Sequence, residues 1–245
     1  MLAAPSGAWD TVPHQRITKA ALDALPQRAR NRFGPEIAAL VEIYCMYPDR
    51  YLEMDRYGFV RKSAGPRSAE EIRIYCVRPD GEAVHGASGD RESDVRSVAW
   101  LLDRIAASRP PEAAKYAGVL SHFIADSLSP PHSVASEELQ GWGLNVHAAI
   151  ERSVPEFTLA GYTPRPITAA EVVDRCYIGA ARNRRDLPFM VKAACTGDDR
   201  ALDPYRLRAA TEAARILAGA LFRRTPYFGD RLHNLEISRR VLIVN

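Results

Sequence analysis

Two histidine–carboxylate pairs in the middle of the chain restrict its fold more than any other feature. His122 and Asp126 stand four residues apart, and so do His147 and Glu151. Residues four apart lie on one face of an α-helix, one turn above the other, so each pair can close on one ion. A third histidine, His132, lies between the pairs, and the chain has only six histidines in 245 residues. The spacing predicts two helices, each with a pair of possible metal ligands on one face.

The histidine and carboxylate side chains between residues 122 and 151 are of the types that bind metal ions. Imidazole nitrogen together with carboxylate oxygen is the ligand set that suits zinc. A single His-x-x-x-Asp pair is more often a surface pair or a structural histidine. Two such pairs around a third histidine favour a metal site.

Apolar side chains recur with helical spacing through most of the chain, and prolines mark several helix ends. Pro130 and Pro131 end the helix that carries Asp126 and place His132 on an irregular segment. Ser93 is the expected N-cap of another helix. The segment 72–77 (IRIYCV) and residues 241–244 could form short strands, and 45–90 and 154–168 resemble loops. The predicted fold is an all-α multi-helix bundle with one long loop, with helices over 15–25, 35–44, 93–107, 111–128, 143–153, 169–185 and 203–222.

Composition is compatible with one globular domain. The chain is 47% hydrophobic, so it can bury a substantial core, and no linker-like stretch divides it. Its net charge of +3 is too small and too evenly spread to indicate nucleic-acid binding. Short arginine clusters at 182–185, 223–224 and 239–240 are explained by solvated helix faces, with phosphate binding as the alternative. No apolar stretch is long enough to span a membrane.

The four cysteines lack metal-binding spacing. They lie at 45, 76, 176 and 195 without a C-x-x-C pair, which excludes a zinc ribbon or a thioredoxin-like motif. Two disulfides, with Cys45–Cys76 and Cys176–Cys195 as the shortest loops, and four buried thiols are both compatible with this pattern.

The first eight residues resemble the end of a leader. Ser6 and Ala8 stand at the −3 and −1 positions of a signal-peptidase site that would leave Trp9 as the first residue. Eight residues are too few for a charged region and an apolar region. Residues 1–8 are therefore read as a residual leader or an added segment. A secreted or periplasmic protein is expected if a leader has been truncated, and a cytoplasmic one otherwise.

Further residues join the central window in a specific order. His14 follows Trp9 by five residues, Asp49 lies in YPDRY, and His85 lies in VHGASGD. The ordered set resembles the zinc-dependent phospholipase C and S1/P1 nuclease superfamily. The resemblance runs from residue 9 to residue 151 and implies a single catalytic domain over 9–245 with a trinuclear zinc site. All nine positions that bind zinc in that family have a matching residue type in this chain, namely Trp9, His14, Asp49, His85, His122, Asp126, His132, His147 and Glu151.

The resemblance also implies how these residues share the ions. The third zinc would be held by His14 and by the terminal amine and carbonyl of Trp9, with Asp126 bridging it to the first. This third site needs Trp9 as the first residue, so both two and three zinc ions per chain are compatible with the sequence. Asp55 is the alternative to Asp49, whose Pro-Asp context matches the family better, and His233 has no place in the set. The first zinc would be held by Asp49, His85, His122 and Asp126, and the second by His132, His147 and Glu151.

The expected chemistry is hydrolysis of a phosphodiester. Zinc lowers the pKa of a bound water toward about 7, and adjacent ions can neutralise a phosphate and stabilise the leaving oxygen. Asp49 is the residue expected to orient or deprotonate that water. The metalloprotease motif His-Glu-x-x-His is absent.

Two details favour the phospholipase C-like branch of the superfamily. The second pair ends in Glu151, and the stretch SLSPPH departs from the nuclease-type His-Gln-Pro-Leu-His. Only the five-residue step from Trp9 to His14 is nuclease-like. The resemblance thus predicts a monomer that hydrolyses phospholipids to diacylglycerol and a phosphorylated head group, with a phospholipid or other phosphate ester as partner and transient contact with a membrane surface. The alternatives are a single-strand nuclease, whose partner is nucleic acid, and a metal-binding homologue without activity.

Overall fold

The described part of the protein is helical. The structure, a computed structural model, describes residues 11–57, 69–134, 138, 141 and 144–222. These residues form no strand, and their one β-bridge joins Val77 to Ala83. Short 3-10 turns cover Gly34–Glu36, Tyr44–Met46 and Pro130–Ser133. The α-helices are α1 (Thr11–Ala24), α2 (Gln27–Arg30), α3 (Ile37–Glu42), α4 (Tyr47–Tyr57), α5 (Ala69–Cys76), α6 (Arg91–Ala107), α7 (Pro110–Leu128), α8 (Leu144–Glu151), α9 (Ala169–Thr196) and α10 (Asp199–Leu221).

Helix α7 is the centre of the bundle. It contacts α1, α3, α4, α5, α6, α9 and α10, and nearly every residue from Ala113 to Leu128 is buried. A helix that is apolar on all sides is expected in such a position. His122 and Asp126 nevertheless point from this helix into the interior, where each is fully buried. Burying such groups is costly unless they find partners, so the core is built around them.

A close helix-to-turn approach brings Asp49 to α7. Gly118 of α7 lies against the Tyr44–Met46 turn, and a Cβ at this glycine would stand 2.4 Å from the Tyr44 carbonyl carbon. Only glycine allows the turn to lie this close. Helix α4 begins directly after the turn, and Asp49 lies in its first turn, on the side of the chain that meets His122.

A methyl group added at Gly118 should destabilise the protein. Gly118→Ala is expected to lower the free energy of unfolding by about 3 kcal/mol, because the new methyl group overlaps backbone atoms of Tyr44 that cannot rotate away. Urea denaturation measures the effect. Gly141→Ala is the control, since nothing lies within 4 Å of its Cβ position. Equal stability of the two variants would contradict the close approach.

The all-α prediction is confirmed, but two local expectations are wrong. Residues 72–76 belong to α5 and are not a strand: Ile72 and Cys76 are buried while Ile74 is 60% exposed, which is helical and not alternating burial. The segment 45–90 is not one long loop, because α4 and α5 lie within it. The segment 154–168 is free of helix, as expected. Residues 241–244 lie outside the described residues.

Helix ends differ from the sequence-based expectations in detail. The N-cap of α6 is Asp90 and not Ser93, because the Asp90 carboxylate accepts from the amides of Glu92 and Ser93. Helix α9 continues past residue 185 to Thr196 and ends at Gly197, whose φ of +70° favours glycine. The predicted helix over 35–44 is divided into a 3-10 turn, α3 and a second 3-10 turn.

All four cysteines are free thiols, so the disulfide alternative is wrong. Cys45, Cys76 and Cys176 are buried, whereas Cys195 is exposed. Burial raises the pKa of Cys45 to about 12 and also raises that of Cys76 and Cys176, which keeps these thiols protonated. Among the described residues, no helix is both long enough and apolar enough to cross a membrane.

Candidate metal centre

The first cluster consists of Asp49, His85, His122 and Asp126. The four residues come from α4, the loop before α6, and two turns of α7, and one ligand atom from each lies within 4.8 Å of the others. Asp49 Oδ1 lies 2.9 Å from His85 Nε2 and 3.4 Å from His122 Nε2. Asp126 Oδ2 lies 3.1 Å from His122 Nε2 and 3.0 Å from His85 Nδ1. The side chains therefore converge on one point.

These separations match the edges of a zinc coordination shell. Zinc lies about 2.0–2.1 Å from each nitrogen or oxygen ligand in a tetrahedral site, so neighbouring ligand atoms stand roughly 3.3 Å apart. The two His122 Nε2 distances to carboxylate oxygens are 3.1 and 3.4 Å, and its distance to His85 Nε2 is 3.4 Å. The donor set and its spacing fit this ion.

A hydrogen bond at Nδ1 fixes the orientation of the His122 ring. Its Nδ1 lies 2.8 Å from the backbone carbonyl of Cys45, which can only accept a hydrogen bond. Nδ1 therefore carries the proton in neutral His122, and the lone pair of Nε2 faces Asp49 and Asp126. A backbone carbonyl behind a histidine is the arrangement that holds metal-binding imidazoles in proteins.

Asp126 is the most unusual group in the cluster. It is fully buried, yet neither of its oxygens makes a hydrogen bond of normal geometry. His14 Nε2 lies 3.3 Å from the second oxygen, Oδ1, and neither ring nitrogen of His14 has a hydrogen-bond partner. The rings of His14 and His122 stack 4.3 Å apart. A buried carboxylate needs a strong partner, and a cation on each side of Asp126 would supply it.

The loop that carries His85 is held by contacts on both sides. A Cβ at Gly86 would stand 3.1 Å from Asp126 Cβ, so the loop lies directly on α7. The amide of Ala87 donates to Ser127 Oγ over 2.9 Å. Ser88 donates through its amide and hydroxyl to the buried carboxylate of Asp94 on α6. These bonds keep the His85 ring against the cluster.

The second cluster consists of His132, His147 and Glu151. His132 lies on the 3-10 turn after α7, and the other two lie one turn apart on α8. Glu151 Oε2 lies 2.8 Å from His147 Nε2, and Oε1 lies 3.4 Å from His132 Nε2. The hydroxyl of Ser129 donates a hydrogen bond to Glu151 Oε1, so the residue that ends α7 orients the carboxylate of α8.

Arg206 of α10 anchors the helix that carries this cluster. It is fully buried and donates from Nε to the Ile150 carbonyl over 2.9 Å and from Nη2 to the Ala149 carbonyl. These carbonyls belong to the last turn of α8, where cationic groups are favourable. Asp199 and Asp203 pair with the same guanidinium at 3.0 and 3.3 Å.

The electrostatics of the first cluster favour charged imidazoles beside ionised carboxylates. Burial lowers the pKa of His85 and His122, but Asp126 and Asp49 outweigh it and raise the pKa of His85 to about 9 and that of His122 well above its usual value. Burial raises the pKa of both carboxyls, but His122 and His85 outweigh it and hold the pKa of each below its usual value. Burial, with the charge of His122, lowers the pKa of His14. A divalent cation can displace the imidazole protons and bind the same carboxylates.

The charge of Asp126 in the first cluster affects the pKa of His147 in the second. Burial lowers the pKa of His147, but its bond to Glu151 and the charges of Glu151 and Asp126 together raise it. The charge of the first cluster therefore reaches the second. Only five residues separate Asp126 from His132 along the chain, and they include the turn at Pro130 and Pro131.

Solvent reaches each cluster at partly exposed side chains. Asp126 and His122 have no exposed side-chain surface, whereas His85 and His132 are 27% and 26% exposed and Asp49 is 13% exposed. Water and a substrate can approach the two clusters at these three side chains. Asp49 is thereby the solvent-facing carboxylate of the first cluster.

The structure thus brings seven of the nine predicted ligands into two clusters and places an eighth, His14, beside Asp126. Trp9 and His233 lie outside the described residues, as does the side chain of Asp55. Sequence reasoning missed the supporting groups Ser129, Arg206 and the Cys45 carbonyl. No local spacing links these groups to the ligands, because each meets its partner across 22 or more residues.

Comparisons with known proteins give no assignment. No protein-family model, no curated protein and no solved structure matches this chain.

His132 offers a test of the second cluster. His132→Ala is expected to remove about one equivalent of bound metal, because the cluster loses one of its three protein ligands. Metal content by plasma mass spectrometry measures the change. His132→Gln, which keeps a polar side chain of similar reach, serves as a second variant. Unchanged metal content in both variants would refute the second site.

Proposed function

We propose that this chain is a zinc-dependent phosphoric-diester hydrolase of the phospholipase C type. The observation that carries the proposal is Asp126, a fully buried carboxylate with three imidazoles within 3.3 Å and no normal hydrogen bond. The His and carboxylate donors of both clusters fit zinc in type and spacing. Trp9 would complete a third site at His14 if its amine is the chain terminus.

Bound zinc would supply Lewis acidity for the phosphate and a water of lowered pKa. The chain itself positions these groups. Asp126 directs one oxygen to His14 and the other to His85 and His122, so it fixes the spacing of neighbouring sites. Ser129 and Arg206 hold Glu151 and its helix in place. Catalytic geometry is held in this way before substrate arrives.

Asp49 is the proposed proton acceptor. It is the carboxylate of the first cluster that solvent reaches, since its side chain is 13% exposed whereas Asp126 has no exposed surface. An ionised carboxylate at the solvent edge can orient a water and take its proton. His85 and His132 are also partly exposed, so solvent reaches each of the two clusters.

The phospholipase branch is preferred on the identity of single residues. The second cluster ends in Glu151, as in the phospholipase-like pattern, and the segment before His132 lacks the nuclease-type motif. An all-α fold is compatible with the superfamily. A phospholipid head group joined through a phosphodiester is therefore the proposed substrate class.

A hydrolysis panel tests the proposal. The protein is incubated with phosphatidylcholine, other phospholipids and single-stranded DNA and RNA, each with and without EDTA. We expect EDTA-sensitive release of a phosphorylated head group and diacylglycerol. Cleavage of single-stranded nucleic acid without cleavage of any phospholipid would assign the nuclease function. Absence of hydrolysis in a fully zinc-loaded protein would indicate a non-catalytic metal-binding protein.

A further inference from the structure

One outward face of α9 combines arginines with exposed apolar side chains. The residues follow one another at intervals of three and four, which places them on one side of the helix over about 21 Å. Ile178 is 60% exposed and Phe189 is 65% exposed, and only one other large apolar side chain in the described part of the chain, Ile74, is as exposed. The row consists of Arg175, Ile178, Arg182, Arg185 and Phe189.

Helix α10 adds a parallel row of Arg208, Thr211 and Arg215. A groove of about 540 Å³ lies between the two rows, with Leu207 and Ile216 among its apolar lining. Four guanidiniums line this groove, and Glu212 is the only acidic residue among its described lining residues. The two rows together are named the arginine face.

Ion pairs neutralise only part of the arginine face. Arg182 Nη1 pairs with Glu212 over 2.7 Å, and Arg208 pairs with Asp186. No described carboxylate lies within ion-pair distance of Arg175, Arg185 or Arg215.

Acidic neighbours at the edge of the face are already engaged. The carboxylate of Glu171 accepts from the Thr168 amide in the capping box of α9. Asp174 holds Arg91 on α6 through two hydrogen bonds. The face therefore keeps a positive charge.

We propose that the arginine face docks on an anionic phospholipid surface. One guanidinium can bind two oxygens of a phosphate at once. The groove can admit lipid phosphates between Arg175 and Arg215. Ile178 and Phe189 would enter the interfacial layer, where apolar and aromatic side chains are stabilised. A single small anion would fill only the groove and leave both apolar side chains in water. A nucleic-acid backbone would match the charge but offers no apolar layer for Ile178.

Docking at this face does not depend on the proposed hydrolase function, because none of its residues belongs to the metal clusters. It rests on the charge and exposure of α9 and α10 alone. The variant Asp126→Asn should therefore bind vesicles as wild type does, which separates a failure of docking from a failure of catalysis.

Vesicle co-sedimentation of the whole protein tests the docking. The vesicles contain phosphatidylglycerol and phosphatidylcholine in equal parts, or phosphatidylcholine alone. We expect binding to the anionic vesicles that weakens as sodium chloride is raised. Removing one arginine near an anionic surface weakens binding about fivefold, so Arg175→Gln with Arg215→Gln should weaken it roughly 25-fold. Phe189→Ser should weaken it about fivefold without changing charge.

Helix α5 supplies matched controls. Arg73→Gln removes the same charge at an exposed position, and Ile74→Ser removes a side chain as exposed as Ile178. Both should bind anionic vesicles as wild type does. Equal binding to neutral and anionic vesicles, or equal losses in the α5 and arginine-face variants, would overturn the proposal. Release by inorganic phosphate beyond that caused by sodium chloride of equal ionic strength would overturn it in favour of a free-anion site.

Discussion

Replacing Asp126 by asparagine is expected to remove metal from two neighbouring sites and to lower phosphodiester hydrolysis on the order of a thousandfold. Oδ2 of Asp126 faces His85 and His122, while Oδ1 faces His14. Asparagine keeps the shape of the side chain but offers one neutral oxygen and an amide group that cannot accept. Metal content and the initial rate of hydrolysis are measured on the same preparation.

Asp174→Asn is the matched control for this change. Asp174 is an exposed aspartate that pairs with Arg91 on the surface, and its replacement should leave metal content and rate unchanged. Thermal unfolding in excess EDTA separates folding from metal binding. Without metal, Asp126→Asn should be less stable than wild type, because the buried imidazoles of His85 and His122 lose their ionised partner. Wild-type metal content in Asp126→Asn would contradict the bridging role.

Replacing Arg206 by methionine is expected to cost about 2–5 kcal/mol of folding free energy, because two backbone carbonyls lose a donor at about 1–3 kcal/mol each. The carbonyls of Ala149 and Ile150 would lose their donor, and the carboxylates of Asp199 and Asp203 would lose their counter-charge. The last turn of α8 would then no longer be held. Metal should be lost from the second cluster first, and urea denaturation together with metal content measures both effects.

Two further variants separate positioning from general instability. Arg206→Lys keeps the charge but not the forked donors, so it should retain the fold with weakened binding at the second cluster. Arg208→Met removes a part-exposed arginine two residues further along α10 that bonds only Asp186 among carboxylates, and it should keep its full metal content. A stable Arg206→Lys protein with unaltered affinity at both clusters would refute the anchoring role.

Sequence periodicity predicted the elements that carry the ligands, and the spacing of four predicted which side chains share a helix face. The prediction from residues four apart was correct for α7 and α8 because a helix has a fixed pitch. The same logic failed at α5, where IRIYCV is apolar and β-branched enough to resemble a strand. Burial of Ile72, Tyr75 and Cys76 shows that its tertiary contacts follow helical spacing instead.

The contacts that support the site could not be predicted in this way. The Cys45 carbonyl reaches His122 only because Gly118 lets the Tyr44–Met46 turn lie on α7, and no local pattern announces such an approach. Arg206 resembled an ordinary helix arginine in sequence, yet it is buried on the carbonyls of α8. In sequence, a solvated face explains the arginine cluster at 182–185, with phosphate binding as the alternative. Only the packing of α9 on α10 reveals the groove that Arg182 lines.

The number of zinc ions in the purified full-length chain tests the central claim most directly. Plasma mass spectrometry is applied after dialysis against zinc and removal of free metal. Two zinc ions per chain are predicted for the two clusters, and a third where the amine of Trp9 is free to join His14 and Asp126. Fewer than one zinc per chain would contradict the metal centre and the hydrolase built on it.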